Sequence, residues 1–317
     1  MDDRLAARLE LAELSDEEFV RRAYRLVLRR DPEPDAFERE GSRATLVAEL
    51  VASEEFAELR ALDDAVTRAL AAGGPAEFLE APPGTDERAI EIPWALSRLE
   101  GARRVLDVGS ANARPAYLAS LVAAGVPELV GVDLVEAEIP RMSTVVADVR
   151  ELPFPDSGFD LVLCVSTLEH VGRDNRVYGA GEEGEGGELA ALRELRRVTQ
   201  RGGRIVVTVP CGEEEDHGWF VQREPDSWNG LFLDAGLRVE EEEIYALGPA
   251  GWRAALDFDP RGVRYGERGA AAVLCATLGP AGGSRLLVRR ARAAARRRGG
   301  GGAGLRRAGE TREQGAE

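Results

Sequence analysis

The sequence predicts an α/β protein: a mostly parallel sheet covered by helices on both faces, preceded by a small all-α segment. Three observations point there. From Arg103 onward, short apolar runs alternate with helical patterns, which is the signature of a parallel sheet with crossover helices. Proline opens two of those helices, at Pro115 and Pro225, and glycine closes them, at Gly125 and Gly236; this is the usual asymmetry of helix ends. Before Arg103 the apolar residues recur at helical spacing only.

The helical front end begins at Ser15, which forms a capping box with Glu18. Phe19, Ala23, Tyr24, Leu26 and Val27 follow on one face, and the prolines of Asp31-Pro32-Glu33-Pro34 end that helix. A second helix is expected near Asp35 and a third over 43–62, with Leu46, Leu50, Val51, Phe56 and Leu59 on its buried side. Residues 1–72 thus form one unit, 73–90 (rich in Ala, Gly and Pro) a linker, 91–280 the α/β domain, and 281–317 a basic tail. Strands are expected at 104–108, 128–133, 143–147, 159–165, 204–209, 237–245 and 271–278, with helices at 115–124, 188–198 and 225–235.

Composition excludes several functions. With 317 residues, 44% hydrophobic and 31% charged, the chain has material for about two domains. A net charge of −16 argues against nucleic-acid binding, because phosphate contacts need a basic face. Cys164, Cys211 and Cys275 form no CxxC pair, and His170 and His217 are the sole histidines, so neither a disulfide framework nor a Cys- or His-rich metal site is expected. All 41 basic residues are arginine, which excludes Schiff-base and P-loop lysine chemistry. The acidic N-terminus does not read as a signal peptide, and the apolar stretch 270–278 is too short to span a bilayer, so a cytoplasmic protein is expected. Residues 281–317 hold ten arginines against three glutamates. They read as a solvated tail, or as a weak contact for an acidic membrane surface or partner.

The candidate site starts at Val105-Leu106-Asp107-Val108-Gly109-Ser110-Ala111, a buried strand running into a turn of small residues. Such a turn lets a ligand lie against backbone N–H groups. Asp133 ends the next strand, where a carboxylate can accept from a ribose diol. Dinucleotides and S-adenosylmethionine both use this arrangement. The loop Gly109-x-Ala111-x-x-Arg114 lacks the second and third glycines of a pyrophosphate loop. Asp107 would repel a pyrophosphate yet suits an ammonium group. Asp148, after the third strand, can accept from an adenine amino group, with Val149 packed on the ring.

These segments resemble class I S-adenosylmethionine-dependent methyltransferases of the type 11 group, over residues 90–278. The matching motifs are VLDVGSA (105–111), VGVDL (130–134), VVADVRELPFPDSGFDLVLCVSTLEHVG (145–172) and LRELRRVTQRGGRIVVTVP (192–210). The resemblance implies a seven-stranded Rossmann-like sheet whose last strand is antiparallel, with S-adenosyl-L-methionine as cofactor. It places Asp107, Gly109, Ser110, Ala111 and Asp133 against the cofactor, together with Leu134, Asp148, Val149, Val165 and Ser166. Alanine stands at positions 111 and 113, where the family usually has glycine. His170, in Ser-Thr-Leu-Glu-His, is the candidate base, with His217 the alternative. Glu169 is a weaker candidate. Tyr178, Trp219, Phe220 and Gln222 are expected to shape an acceptor pocket for a small molecule or a glycan-linked group, methylated at oxygen. Trp94 is read as a gate or a core anchor. No metal is expected.

Residues 16–59 are similar to a bacterial helical domain related to phycobilisome linkers, through FVRRAY (19–24), Arg30-Asp31-Pro32 and ASEEF (52–56). That likeness implies scaffolding, docking of a protein partner, and an association with cell-surface polysaccharide assembly. A competing reading, motivated by Ala111 and Ala113, is a catalytically silent cofactor-binding or scaffold module.

Overall fold

The computed structural model describes residues 14–28, 32–39, 41–71, 74–180, 187–256, 258–266 and 269–281. The expected basic tail lies outside these residues, apart from its first position. An eight-stranded sheet organises the α/β part, in the order β3-β2-β1-β4-β5-β10-β8-β9. Its parallel half comprises β1 (Arg104–Val108), β2 (Glu128–Asp133), β3 (Ser143–Val146), β4 (Phe159–Val165) and β5 (Thr199–Pro210). β10 (Ala272–Pro280) runs antiparallel between β5 and β8 (Leu237–Gly248), so the last strand has the expected direction.

The eighth strand corrects the expected count of seven. β9 (Gly251–Ala254) folds back on β8 through a Pro249-Ala250 turn, and Trp252 pairs with Ala81 beyond it. Four residues between glycine and a loop hold no periodicity from which a strand is read. The small strands β6 (Glu215–Asp216) and β7 (Val221–Gln222) form a separate hairpin after β5.

Alternation along the strands divides the core in two. Leu106, Val108, Val162 and Cys164 face α6 (Gly187–Val198) and α7 (Pro225–Asp234), meeting Leu192, Leu195, Trp228 and Phe232. Val105, Leu161 and Leu163 face the other way, onto α4 (Arg88–Leu96) and α5 (Pro115–Ala123). Asp107 shares that second face, since side chains two apart in a strand point the same way. A carboxylate is thereby placed under α5.

The front end departs from expectation in two ways. The third helix is really two, α2 (Arg43–Ala52) and α3 (Glu54–Ala71), because Ser53 is extended and its Oγ accepts the Phe56 N–H at 3.2 Å. The second is a single 3-10 turn over Pro34–Phe37. The capping box on α1 (Asp16–Val27) is present as read. The front-end core of Phe19, Tyr24, Val47 and Leu50 is separate, yet Leu62 and Val66 of α3 pack with Ile90, Trp94 and Leu121 of the α/β core. The stretch read as a linker is anchored: Ala81 pairs with Trp252, and α4 already begins at Arg88.

Arg98 fixes α4 to the sheet. Its guanidinium is buried, donates to Glu241 of β8 at 3.0 and 2.6 Å and to the Trp94 carbonyl at 2.7 Å, and lies 3.2 Å from the Trp94 ring centre. Trp94 is itself fully buried, with its indole N–H on Glu243 at 2.8 Å, so it is a core anchor and not a gate. Arg98→Ala removes one partner of this pair and is expected to lower stability by about 3 kcal/mol. Urea denaturation measures it; a loss below about 1 kcal/mol, the range of exposed pairs, would contradict the assigned role.

Candidate active site

The strand order reverses between β1 and β4, and a crevice opens there beyond their carboxyl ends, as open α/β sheets dictate. It holds a cavity of about 430 Å³. Asp107, Asp133 and Asp148 all line it, with Gly109, Leu134, Val149, Val165 and Ser166. The three strand-end carboxylates expected to converge do so.

Each wall has a local cause. Gly109 has φ +86°, and a Cβ there would sit 2.3 Å from Thr167 Oγ1. Only glycine lets the β1 loop meet the β4 turn so closely. Thr167 in turn donates to the carbonyls of Val108 and Val165 at 3.1 and 3.0 Å, tying the two strand ends together. Asp133 accepts the N–H of Ala111 at 2.8 Å and of Leu134 at 2.7 Å, which fixes the loop and its own carboxylate. Asp148 is held by Arg150 (2.7 Å), whose hydrogen bonds keep its carboxyl below the ordinary range.

Asp107 is nearly fully buried. One oxygen accepts from the Tyr117 hydroxyl of α5, and Oδ2 has no hydrogen-bond partner. Burial, reinforced by the Asp133 charge, pushes its carboxyl up to about 7 against the pull of Tyr117.

A second, smaller cavity of about 50 Å³ shares Glu87, Arg88, Ser166, His170 and Tyr178 with the first. Trp219, Phe220 and Tyr265 close it on one side, Glu91 and Glu169 on another. His170 Nδ1 lies 2.9 Å from the Trp219 carbonyl. A carbonyl only accepts, so Nδ1 carries the proton and Nε2 the lone pair. Burial lowers the imidazole to about 4, so it is neutral near pH 7. Glu169 accepts from Ser166 Oγ at 2.6 Å; burial raises its carboxyl to about 8, and Oε2 is unpartnered.

Four expected residues stand elsewhere. Ser110 is buried beneath the loop, its Oγ 2.6 Å from where a Cβ on Gly131 would lie, and it is off the cavity wall. Ala111 contributes its backbone N–H to Asp133 and no side-chain wall. His217 stacks on Phe220 at 4.4 Å and lines neither cavity; the tight β6–β7 hairpin turns Trp219 and Phe220 to the cavity and leaves His217 outside. Gln222 is fully buried and donates to the carbonyls of Glu213 and Val263 at 3.1 and 2.9 Å, bracing the hairpin.

Sequence reasoning missed Glu87, Arg88, Glu91, Tyr117 and Tyr265. A signal existed for one of them: Glu91 is a lone acid between Ile90 and Ile92 in an apolar run. All three cysteines are buried and free. Among the described residues, no helix is long and apolar enough to cross a membrane, and no three acid, His or Cys side chains gather in a way that could hold a metal ion.

Part of the chain is similar to known proteins. Residues 106–207 match the family model described as a methyltransferase domain. An uncharacterized protein of Methanocaldococcus jannaschii is 37% identical over 106 residues, covering 32% of this chain and 40% of that one. A protein of Mycobacterium tuberculosis, named as a probable S-adenosylmethionine-dependent methyltransferase, is 27% identical over 151 residues, 43% of this chain and 49% of that one. The chain therefore spans about half or less of these relatives' length. Among solved structures, a 1,6-didemethyltoxoflavin-N1-methyltransferase of Burkholderia thailandensis covers 78% of this chain and 91% of its own at 16% identity, with a TM-score of 0.39. Residues 106–207 are thus similar in sequence to a methyltransferase domain.

The raised carboxyls set a pH dependence. Asp107 in the folded chain holds a proton that the unfolded chain releases above its ordinary pKa of 3.8, so its contribution to stability is lost as pH rises towards about 7. Asp107→Asn, which mimics the protonated carboxyl, is expected to raise Tm at pH 8 and to flatten the fall in Tm between pH 5 and pH 8. Calorimetry across that range checks it; an unchanged curve would contradict the burial of Asp107.

Proposed function

We propose that this chain is an enzyme, an S-adenosylmethionine-dependent methyltransferase acting on a small acceptor. One observation supports this most: a buried acid with an unpartnered oxygen, Asp107, shares a single cavity with Asp133 and Asp148, and that cavity adjoins a second one with aromatic and acidic walls. The volume of about 430 Å³ lies within the range of sites for ligands of this size.

The cofactor is S-adenosylmethionine, which when bound supplies a methyl group on a positively charged sulfur. Asp107 Oδ2 is the partner for its ammonium group, and binding a cation there favours the ionised carboxyl. Asp133 receives the ribose hydroxyls. Asp148 accepts from the adenine amino group while Leu134 and Val149 flank the ring. Val165 and Ser166 border the methionine end, and the β1 loop around Gly109 admits it.

The acceptor enters from the side of Tyr178, Trp219 and Phe220. Its nucleophilic atom carries a proton, as a hydroxyl or an amine does: the wall offers an acceptor for it in neutral His170, and a second in Glu169 once that carboxyl ionises, towards pH 8. In-line transfer needs orientation and exclusion of water more than a strong base. A glycan-linked hydroxyl, and a part in surface-polysaccharide assembly, are supported by the likeness of residues 16–59 alone. The same likeness supports docking of a protein partner on the front end. The adjoining acceptor cavity disfavours a catalytically silent module.

Titration calorimetry with S-adenosylmethionine tests this reading. The full chain is expected to bind it, and Asp133→Ala to weaken binding by about tenfold or more, the equivalent of one or two hydrogen bonds to a charged group. Absence of binding, or an Asp133→Ala variant that binds equally well, would contradict it.

A further inference from the structure

The side cavity is more acidic than its walls neutralise. Three carboxylates border it: Glu87 and Glu91 from α4, and Glu169 from the turn after β4. Arg88 is the one arginine on its wall among the described residues. It is hydrogen-bonded to Glu91, and its Nη1 is 3.9 Å from Glu87. Glu91 is fully buried and Glu169 is 2% exposed. One oxygen of each acid, Glu87 Oε2, Glu91 Oε1 and Glu169 Oε2, has no hydrogen-bond partner. A buried ionised carboxylate without a donor is strongly unfavourable, so burial holds Glu87 and Glu169 towards their protonated forms; three such acids at one cavity point to a ligand that donates and carries the positive charge that lets them ionise.

The remaining walls narrow the choice. His170, Tyr178, Trp219, Phe220 and Tyr265 surround the space, with ring centres 5.2 Å apart for His170–Tyr178, 6.1 Å for Tyr178–Trp219 and 4.5 Å for Phe220–Tyr265. Aromatic faces attract cations, and carboxylates form their strongest hydrogen bonds with charged N–H donors. A hydroxyl brings one donor and no charge, leaving most of these oxygens unpaired. An ammonium brings up to three donors and a positive charge. An anionic group is repelled.

We infer that the side cavity is the acceptor subsite for an organic amine, and that the reaction is N-methylation of a primary or secondary amine. The inference rests on the methyltransferase reading above and chooses among its acceptors. The amine enters as its ammonium form and gives a proton to a carboxylate at the subsite, Glu169 being the nearest to His170 Nε2, at 3.8 Å. The freed nitrogen lone pair then attacks the methyl carbon. The C–N bond forms, the C–S bond breaks, and its electron pair returns to sulfur as an uncharged thioether. The methylated nitrogen takes up the positive charge, and the carboxylate returns its proton to water.

The test uses the full chain loaded with S-adenosylhomocysteine, titrated with 2-phenylethylamine and separately with 2-phenylethanol. The amine is expected to bind about tenfold or more tightly than the alcohol. Its affinity is expected to rise from pH 6 to pH 9, as Glu87 (raised by burial to about 7) and Glu169 (to about 8) ionise beside Glu91, Arg88, neutral His170, Tyr178 and Tyr265. Glu169→Gln and Glu91→Gln are each expected to weaken the amine by about tenfold, with S-adenosylhomocysteine affinity unchanged as the control for folding. Equal binding of alcohol and amine, no saturable amine binding, or indifference to both substitutions would overturn the amine subsite while leaving the cofactor site standing. Failure to bind S-adenosylhomocysteine would overturn the methyltransferase reading, and this inference with it.

Discussion

The site depends on one carboxylate. Asp133 takes the Ala111 N–H with one oxygen and the Leu134 N–H with the other. Its position at the end of β2 is set by parallel pairing to β1, in which Val108 and Val132 are partners. A side chain that accepts from the loops of both strands turns two flexible connections into one wall. The same loop needs a left-handed glycine at 109 to pass Thr167. Mobile connections thereby acquire fixed geometry from the rigid strands beneath them, the general way in which α/β sheets place functional groups.

Burial is the second theme. The crevice and its side cavity gather acids from three elements: Asp107 on β1, Glu87 and Glu91 at α4, and Glu169 after β4. Burial raises Asp107, Glu87 and Glu169 towards neutrality. Such groups destabilise the fold relative to apolar residues in the same places, and strained or unpaired groups are concentrated where proteins bind ligands. Ser166, with φ +44°, lies between both cavities and adds a second local strain at the same place. Helix α4 can present its acids only because Arg98 and Trp94 lock its far end to Glu241 and Glu243 of β8.

Most of the sheet was legible because period-two burial and Pro/Gly punctuation report backbone geometry directly. Asp107, Asp133 and Asp148 were legible for the same reason: each stands at or beside a strand end, where the topology leaves little freedom. The acceptor side was not. His170 reads as the candidate base and His217 as its alternative; the turn after β4 puts His170 on the cavity, while the β6–β7 hairpin leaves His217 behind Phe220. Gln222 is expected from sequence in the acceptor pocket with Trp219 and Phe220, yet the hairpin directs it inward to the Glu213 and Val263 carbonyls. α4 was hidden by a proline at position 93, which reads as a break and is accommodated within the helix. β9 was hidden by its brevity.

The central claim is that the strand-end acids 107, 133 and 148 hold one adenosyl group between them. A crystal structure of the chain grown with S-adenosylhomocysteine tests it most directly. The account predicts ligand density in the crevice between β1 and β4, with the ribose on Asp133, the adenine between Leu134 and Val149, and the amino-acid end at Asp107. A ligand bound elsewhere on the chain, or lying in the crevice with its ribose away from Asp133, would contradict it.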